Sequence, residues 1–397
     1  MKKFFVFIMT FFLIIAMLSA AGICAQAKED NKTNQGTLEI ESPSVLLMEL
    51  NSGQVLYEKD PDTARRPASV TKIMTMLLAF EALDNGKLKL DDMITISANA
   101  AGMGGSQVYL EEGEQQSFED LLKCMIISSA NDAATAVGEA IAGSEEGFVA
   151  MMNERAKELG MENTHFENAC GLEAEGHKMS ARDIAILSRQ LLLYHPEVTE
   201  YTTIWMDTII HKTKRGESEF GLASTNKFLK KYEGANGLKT GYTSAAGFSM
   251  SATAVRNGTT LIAVVMGSKT KDIRYADAAK LLDYGFANCS IYEDNKVLDG
   301  NNQIMIKDGV KNSVLVEAKS SFRYVFVNGK EEDGIKKEIQ ILKDQAPVQK
   351  GDVIAKAVYT KDGKELGSMD IVAVENVDKQ EYHHALRRIF EQYINIY

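Results

Sequence analysis

The order of hydrophobic patterns along this chain constrains its fold more than any single residue does. Apolar runs at 44–50 and 55–57 flank Asn51-Ser52-Gly53, which predicts a β-hairpin near the start. Helical periodicity then fills the middle of the chain, beginning near Ser69 and recurring over 118–142, 146–160 and 180–194. Strand patterns return at 247–255 and 260–266, before an amphipathic stretch at 275–286. Helices between an early hairpin and late strands predict one mixed α/β (α+β) domain over residues 43–287.

The pattern changes after residue 291. Short β-type runs are separated by Asn328-Gly329 and Asp362-Gly363 turns, and no cluster of nucleophilic side chains accompanies them. Residues 291–377 are therefore predicted to form a small all-β domain that serves as a spacer or an interaction surface.

The first 27 residues have the pattern of an export signal. Lys2 and Lys3 precede an apolar stretch at 4–21, and Ala25-Gln26-Ala27 offers a small-residue cleavage site. A retained membrane anchor is the alternative, because a stretch of this length can just span a bilayer. We favour cleavage and predict an exported protein.

The last eighteen residues, 380–397, predict an amphipathic helix. Apolar side chains recur at helical spacing on one face, at Leu386, Ile389, Phe390, Tyr393, Ile394 and Tyr397. Arg387 and Arg388 lie beside or opposite that face, which is typical of a helix in a membrane interface. A helix docked on the all-β domain would show the same stripe. We favour membrane association at the outer face of the cytoplasmic membrane.

Charge and cysteine content exclude several classes of protein. The chain carries 44 basic and 55 acidic side chains, a net charge of −11, which argues against nucleic acid as a partner. After the leader is removed only Cys124, Cys170 and Cys289 are left, too few for a disulfide-stapled scaffold. The histidines show no paired ligand spacing, so no metal and no cofactor are predicted.

Ser69 and Lys72 are candidates for a nucleophile and its base. They are three residues apart, so on a helix both side chains project from one face. A serine hydroxyl needs such a base, and a lysine can serve only if burial or a nearby cation lowers its pKa. A lone Ser-x-x-Lys is usually a solvated surface pair, and further segments are needed to support the chemistry.

Two more polar segments provide that support. Ser129-Ala130-Asn131 interrupts an apolar helical region, where a hydroxyl could relay a proton and an amide could hold a substrate; a helix N-cap is the alternative. Lys239-Thr240-Gly241 is placed at the start of a strand, where a lysine and a threonine can bind a carboxylate. Lys239 would also be the cation that lowers the pKa of Lys72. The backbone N–H groups of Ser69 and Tyr242 are candidates for an oxyanion hole.

The order Ser-x-x-Lys, Ser-x-Asn, Lys-Thr-Gly resembles the penicillin-recognising serine acyltransferases. The surroundings are similar to the low-molecular-mass penicillin-binding proteins that act as D-alanyl-D-alanine carboxypeptidases. Supporting stretches are 66–75, 163–168, Gly171-Leu172, 177–183 and 225–227. The likeness is dense over 43–287 and looser through the β domain and the terminal helix, which resemble that family's second domain and membrane anchor.

The resemblance implies a penicillin-binding/β-lactamase-like fold and a set of site residues. Ser69, Lys72 and Ser129 would be catalytic, and the residues that bind substrate would be Asn131, Lys239, Thr240, Gly241, Tyr242 and Thr243. The implied substrate is a peptidoglycan stem peptide ending in D-Ala-D-Ala, with β-lactams as covalent inhibitors. Ser69 would attack the carbonyl between the two D-alanines, and water would then hydrolyse the ester.

Two positions depart from the family pattern. Tyr242 follows Lys-Thr-Gly where many relatives have histidine, and Thr225 stands where some relatives carry an arginine that holds the terminal carboxylate. Carboxylate binding would then depend more on Lys239, Thr240 and Thr243.

Three other functions fit the same segments. A class A β-lactamase needs a Glu-x-x-Leu-Asn loop, and no such string occurs between the second and third segments. A peptidoglycan endopeptidase would use the same acyl-enzyme and stays open. A non-catalytic penicillin-binding sensor is disfavoured by the intact Lys72. His177 is expected to order the loop before Ser180, and Cys124 and Cys170 to fill small apolar spaces.

Overall fold

The computed structural model describes residues 38–327 and 333–381. The predicted export signal at 1–27 and all but the first two residues of the predicted terminal helix lie outside these ranges. No helix within the described ranges combines the length and apolar content needed to cross a bilayer.

A five-stranded antiparallel sheet organises the first part of the chain, in the order β2-β1-β9-β8-β7. Its strands are β1 (Ser44–Glu49), β2 (Val55–Lys59), β7 (Ala235–Thr243), β8 (Gly247–Arg256) and β9 (Thr259–Ser268). The early hairpin and the late strands predicted from the sequence are therefore confirmed and pair in one sheet, β1 against β9. Strand β7 lies at the edge and carries the third polar segment.

The helices cover both faces of this sheet. They are α1 (Lys72–Asp84), α2 (Ala98–Ala101), α3 (Phe118–Ile127), α4 (Asn131–Ala142), α5 (Glu145–Glu158), α6 (Ala181–Tyr194), α7 (Val198–Thr202) and α8 (Lys271–Asn288). Side chains of β9 alternate between the two faces: Ile262 and Val264 join the main helical core, whereas Leu261 faces Gly285 of α8. Burial on both faces explains why β9 is almost continuously apolar.

One predicted helix proves to be two. The periodicity over 118–142 predicts a single helix, but the structure ends α3 at Ile127 and begins α4 at Asn131. Ser129 has φ of +61° and Ala130 is extended, so the chain turns sharply between them. The apolar period continues across the break because both helices pack against the same core.

Two short hairpins border the helices. One pairs β3 (Met93–Thr95) with β4 (Gln115–Ser117), and the other pairs β5 (Met206–Thr213) with β6 (Gly216–Ala223). The second hairpin is not predicted from the sequence. Most of its side chains are exposed, so it lacks the apolar alternation by which strands are recognised.

The all-β domain predicted after residue 291 is confirmed. Five antiparallel strands follow the order β11-β12-β16-β15-β14, and β10 pairs separately with β13. Their bounds are β10 (Cys289–Asp294), β11 (Gln303–Met305), β12 (Ser313–Ala318), β13 (Phe322–Val327), β14 (Lys336–Ile341), β15 (Val353–Lys361) and β16 (Lys364–Ala373). Phe322 and Tyr359 stack at its centre with ring centroids 3.6 Å apart.

Candidate active site

Ser69 sits on a tight turn that precedes α1. A 3₁₀ turn, Ala68–Thr71, leads directly into the helix. Its first residue, Ala68, has φ of +50°. The Lys72 Nζ lies 3.2 Å from the Ser69 Oγ, which confirms that the two side chains share one face. A non-glycine residue in the left-handed region is a strained feature often found at functional sites.

Two glycines allow other segments to approach this turn. A methyl group on Gly241 would lie 2.8 Å from the Pro67 carbonyl oxygen and 3.0 Å from the Ser69 nitrogen. One on Gly171, which has φ of +87°, would lie 2.0 Å from the Ala68 carbonyl oxygen. A side chain on Gly241 would push strand β7 away from Ser69, and one on Gly171 would displace the Ala68 backbone that precedes Ser69.

Lys72 is fully buried beneath Ser69, and its amine is suited to act as a base. Its Nζ lies 2.6 Å from the Asn131 Oδ1 and 2.8 Å from the Cys170 carbonyl oxygen, two groups that only accept hydrogen bonds. Burial lowers the pKa of Lys72 to about 8. A neutral amine can donate its two hydrogens to these oxygens while its lone pair faces the Ser69 hydroxyl. The arrangement matches the requirement for proton abstraction.

The second segment turns its two polar side chains toward different lysines. Ser129, at φ of +61°, accepts a hydrogen bond of 2.7 Å from the Lys239 Nζ, while Asn131 contacts Lys72. The Asn131 Nδ2 also donates to the Gly104 carbonyl at 2.7 Å, which fixes the amide orientation. The helix-capping alternative does not apply to either side chain, because Ala130 is the N-cap and no side chain caps α4.

A buried aspartate that the sequence analysis overlooked supports this segment. The Asp132 carboxylate accepts backbone N–H groups from Val108 and Leu110, each at 3.1 Å, and thereby ties residues 108–110 to the start of α4. Burial raises the pKa of Asp132 even though these hydrogen bonds oppose it. The sequence feature that could have identified Asp132 is its position directly after Asn131.

Lys239 is buried in the middle of β7, and the prediction that it opens a strand is wrong. Its Nζ donates to the Ser129 Oγ and, at 3.0 Å, to the Thr240 carbonyl. Burial, followed by the charges of Lys72 and Arg274, holds the pKa of Lys239 well below its ordinary value. For Lys72 burial lowers the pKa, whereas Cys170 and Asp132 raise it, so the lowering comes from burial and not from the predicted charge of Lys239.

Arg274 is a second residue that the sequence analysis overlooked. It extends from α8 beneath the sheet, where its Nη1 donates to the Gly241 carbonyl at 3.4 Å and to the Ser249 carbonyl at 3.3 Å. Its buried guanidinium has a lowered pKa because of desolvation. This contact fixes the backbone of the third segment and adds positive charge behind Lys239. Thr240, next along the strand, lies 3.5 Å from Thr225 between their hydroxyl oxygens.

Tyr242 and Thr243 reach the open edge of the site. Tyr242 is 55% exposed and stacks on Phe248, with ring centroids 4.2 Å apart. The Thr243 hydroxyl lies beside the Glu173 carboxylate and accepts from the Ala246 N–H at 3.1 Å. Binding of a substrate carboxylate by Thr243 stays a prediction.

His177 ties the turn below Ser69 to residue 167, a contact that the expected role in ordering the loop before Ser180 did not include. Its Nδ1 accepts from the Glu167 N–H at 3.2 Å, so its Nε2 carries the hydrogen and donates to the Thr71 hydroxyl at 2.8 Å. Burial lowers the pKa of His177 to about 4 and keeps the ring neutral. Cys124 and Cys170 are buried, and burial raises the pKa of both thiols, which suits apolar filling and not nucleophilic attack.

One group of side chains within the described residues has the spacing of metal ligands. Asp84, His195 and Glu197 place one ligand atom each within 4.8 Å of one another, at the opposite end of α1 from Lys72. The His195 Nδ1 lies 3.2 Å from the Asp84 Oδ2, and Asp84 and Glu197 are exposed acids of a kind common without a metal. The group takes no part in the chemistry around Ser69.

Comparison with known proteins agrees with this geometry. The family model described as D-alanyl-D-alanine carboxypeptidase matches residues 29–270, and that described as penicillin-binding protein 5, C-terminal domain, matches 286–379. The chain is 39% identical to the D-alanyl-D-alanine carboxypeptidase DacF of Bacillus subtilis (strain 168) over 381 residues, which are 95% of this chain and 96% of the relative.

Solved structures show the same fold. Penicillin-binding protein 5 of Haemophilus influenzae superposes with a TM-score of 0.70 at 32% identity, covering 86% of this chain and 98% of that one. The ampicillin-bound penicillin-binding protein D2 of Listeria monocytogenes superposes with a TM-score of 0.56 at 33% identity, covering 64% of this chain and 100% of that one. The chain belongs to the D-alanyl-D-alanine carboxypeptidase family and is a serine-type carboxypeptidase followed by that family's all-β domain.

Proposed function

We propose that the enzyme removes the terminal D-alanine from peptidoglycan stem pentapeptides through an ester on Ser69. The observation that carries this proposal is the environment of Lys72. Its buried amine has two carbonyl oxygens to accept its hydrogens and lies 3.2 Å from the Ser69 Oγ, so its lone pair is available to that hydroxyl.

In the first step the Ser69 hydroxyl gives its proton to Lys72 while the oxygen attacks the carbonyl between the two D-alanines. The backbone N–H groups of Ser69 and Tyr242 hold the negative oxygen that forms. Gly241 makes this pairing possible, because a side chain there would meet the Ser69 nitrogen at 3.0 Å.

The peptide bond then breaks, and the leaving nitrogen needs a proton. Ser129, held by the Lys239 Nζ at 2.7 Å, donates it and recovers the proton that Lys72 took from Ser69, so Lys72 is neutral again before hydrolysis. Lys239 and Thr240 bind the terminal carboxylate of the substrate, and this anion favours the charged form of Lys239. Water attacks the remaining ester, with Lys72 as base, and regenerates Ser69.

β-Lactams are proposed to acylate the same serine and to leave slowly. The similar Listeria protein has been solved in its ampicillin-bound form. Within residues 38–327 and 333–381, the hydrogen-bond partners of the Lys72 Nζ are the side chains of Ser69 and Asn131 and the Cys170 carbonyl, and none is a carboxylate. A carboxylate that activates water is what a class A β-lactamase would need at this point, so slow release is expected.

The proposed location is the outer face of the cytoplasmic membrane. The basic start, apolar stretch and small-residue ending of 1–27 support export, and the apolar stripe with its basic flank in 380–397 supports association with the membrane surface. Deleting 381–397 and fractionating cells tests the second part. A truncated protein that stays with the membrane would rule out this segment as the anchor.

The decisive assay for the proposed reaction measures free D-alanine released from a synthetic pentapeptide by the mature chain. Wild type should release D-alanine and be labelled by a fluorescent penicillin, and Ser69→Ala should do neither. Retained labelling of Ser69→Ala would refute the assignment. Turnover of penicillin without release of D-alanine would favour a β-lactamase, and cleavage of cross-linked peptide dimers alone would favour an endopeptidase.

A further inference from the structure

Glu173 stands at the rim of the active site, on a segment that starts at the reacting centre. The Cys170 carbonyl accepts from Lys72, and three residues later the exposed Glu173 carboxylate accepts from the Ala245 N–H at 3.3 Å. Residues 170–173 therefore connect the catalytic lysine with the end of β7. The mechanism above assigns no role to this carboxylate.

The direction of the substrate follows from the order of groups along β7. This strand is the edge of the sheet among the described strands, so a peptide can add beside it. The terminal carboxylate is placed at Lys239 and Thr240, and the reacting carbonyl at the N–H of Tyr242. The residue that precedes the two D-alanines must then continue past Tyr242 toward Thr243 and Glu173.

Two opposite charges meet at this end of the cleft. Arg66, three residues before Ser69, is exposed and lines the same groove of about 590 Å³ as Glu173. Thr243, then the Ala245 N–H and to a smaller extent the charge of Arg66 lower the pKa of Glu173, so the carboxylate is ionised at neutral pH. The neighbouring Arg65 pairs with Asp60 at 3.1 Å, which leaves Arg66 as the guanidinium suited to a ligand.

We propose that Glu173 and Arg66 recognise the end of the side chain of the third stem residue, Glu173 binding an ammonium group and Arg66 a carboxylate. This proposal rests on the proposed function and names its substrate class. A meso-diaminopimelate side chain ends in both groups, a lysine side chain ends only in the ammonium, and an Nε-acetyl-lysine side chain has neither charge. The enzyme is therefore selective for stem peptides whose third residue has a side chain that ends in both an ammonium and a carboxylate.

The test compares D-alanine release from three pentapeptides that differ only at this residue. For wild type, kcat/KM should fall from meso-diaminopimelate to lysine to Nε-acetyl-lysine by about 1.5- to 5-fold at each step, the range expected for partly exposed charge pairs. Glu173→Gln keeps an oxygen for the Ala245 N–H but removes the charge. It should reduce the ratio of lysine to acetyl-lysine to about one.

Arg66→Gln should instead reduce the ratio of meso-diaminopimelate to lysine to about one and leave the preference for lysine over acetyl-lysine. Glu175→Gln, an exposed acid of the same groove, is the matched control and should keep both ratios at their wild-type values. Raising the salt concentration should compress both wild-type ratios, because the charges are exposed to solvent.

The outcomes separate the two proposals. Wild type that releases D-alanine from all three peptides at equal kcat/KM overturns the recognition site and leaves the carboxypeptidase reaction intact. Wild type that releases no D-alanine from any of them overturns the proposed function itself. Ratios that survive both Glu173→Gln and Arg66→Gln, or that collapse equally in Glu175→Gln, also contradict the assignment.

Discussion

The two domains surround their lysines in opposite ways, and the lysines compared are buried in the catalytic domain and partly exposed in the β domain. In the catalytic domain the partners of Lys72 and Lys239 within the described chain are uncharged oxygens, and burial lowers the pKa of both amines. In the β domain Lys337 donates to the carboxylates of Asp294 and Asp299, each at 2.9 Å, and these raise its pKa. A lysine with carboxylate partners stays charged and structural, whereas a lysine without them is available for proton transfer.

Replacing Lys72, the proposed base, should have the largest effect. Lys72→Met keeps the length and apolar stem but removes the base, so penicillin acylation and D-alanine release should each fall by about a thousandfold or more. Lys337→Met is the matched control and should keep the wild-type acylation rate. Acylation that survives in Lys72→Met would show that another group deprotonates Ser69.

A side chain on Gly241 should have the next largest effect. Gly241→Ala places a methyl group 2.8 Å from the Pro67 carbonyl and should move the nucleophile away from the oxyanion donors. We expect about a 100-fold loss in the acylation rate, the scale of a misplacement near 1 Å. Gly221→Ala on β6 meets no atom within 4 Å and serves as the control in the same stopped-flow measurement. Equal rates for the two variants would refute the packing argument.

The pH dependence of acylation should report the lysine directly. The base is the neutral amine, and a pKa of about 8 leaves roughly a tenth of Lys72 neutral at pH 7 and about a hundredth at pH 6. The second-order rate constant should therefore rise about tenfold from pH 6 to pH 7 and level off above pH 8. A rate that is flat over this range, or that falls as pH rises, would contradict a lysine base.

The smallest effect on activity belongs to the β domain. Lys337→Met leaves Asp294 and Asp299 without their cation, although the Tyr359 hydroxyl still donates to Asp294 at 2.8 Å. Unfolding of the β domain should become easier by about 1–3 kcal/mol, measured by chemical denaturation. If this variant instead slowed acylation, the separation of structural and reactive lysines between the two domains would be wrong.

Local sequence spacing was enough for part of the site but not for all of it. Ser69 and Lys72 are three residues apart, and Ser180 caps α6 by accepting from the Asp183 N–H at 3.1 Å, so both features follow from neighbours in the chain. The break at Ser129 was hidden because apolar periodicity continues through it. An apolar pattern records which face is buried, and it does not record where the backbone turns.

Contacts between distant segments account for what the sequence could not predict. Arg274 lies 33 residues from Gly241, and Glu173 lies 72 residues from Ala245. No local sequence pattern therefore predicts either contact. Asp132 could have been suspected from its place beside Asn131, but its partners at 108–110 come from another loop. The chemistry of the motifs is readable from the chain, and the groups that orient them are visible only in the fold.

Intact-protein mass spectrometry after mixing with a penicillin tests the central claim most directly. One equivalent of ring-opened penicillin should add to wild type and map to the peptide that contains Ser69. At pH 6, where Lys72 is mostly charged, the adduct should accumulate about fiftyfold more slowly than at pH 8. An adduct on any other residue, or one that forms equally fast in Lys72→Met, would contradict the account.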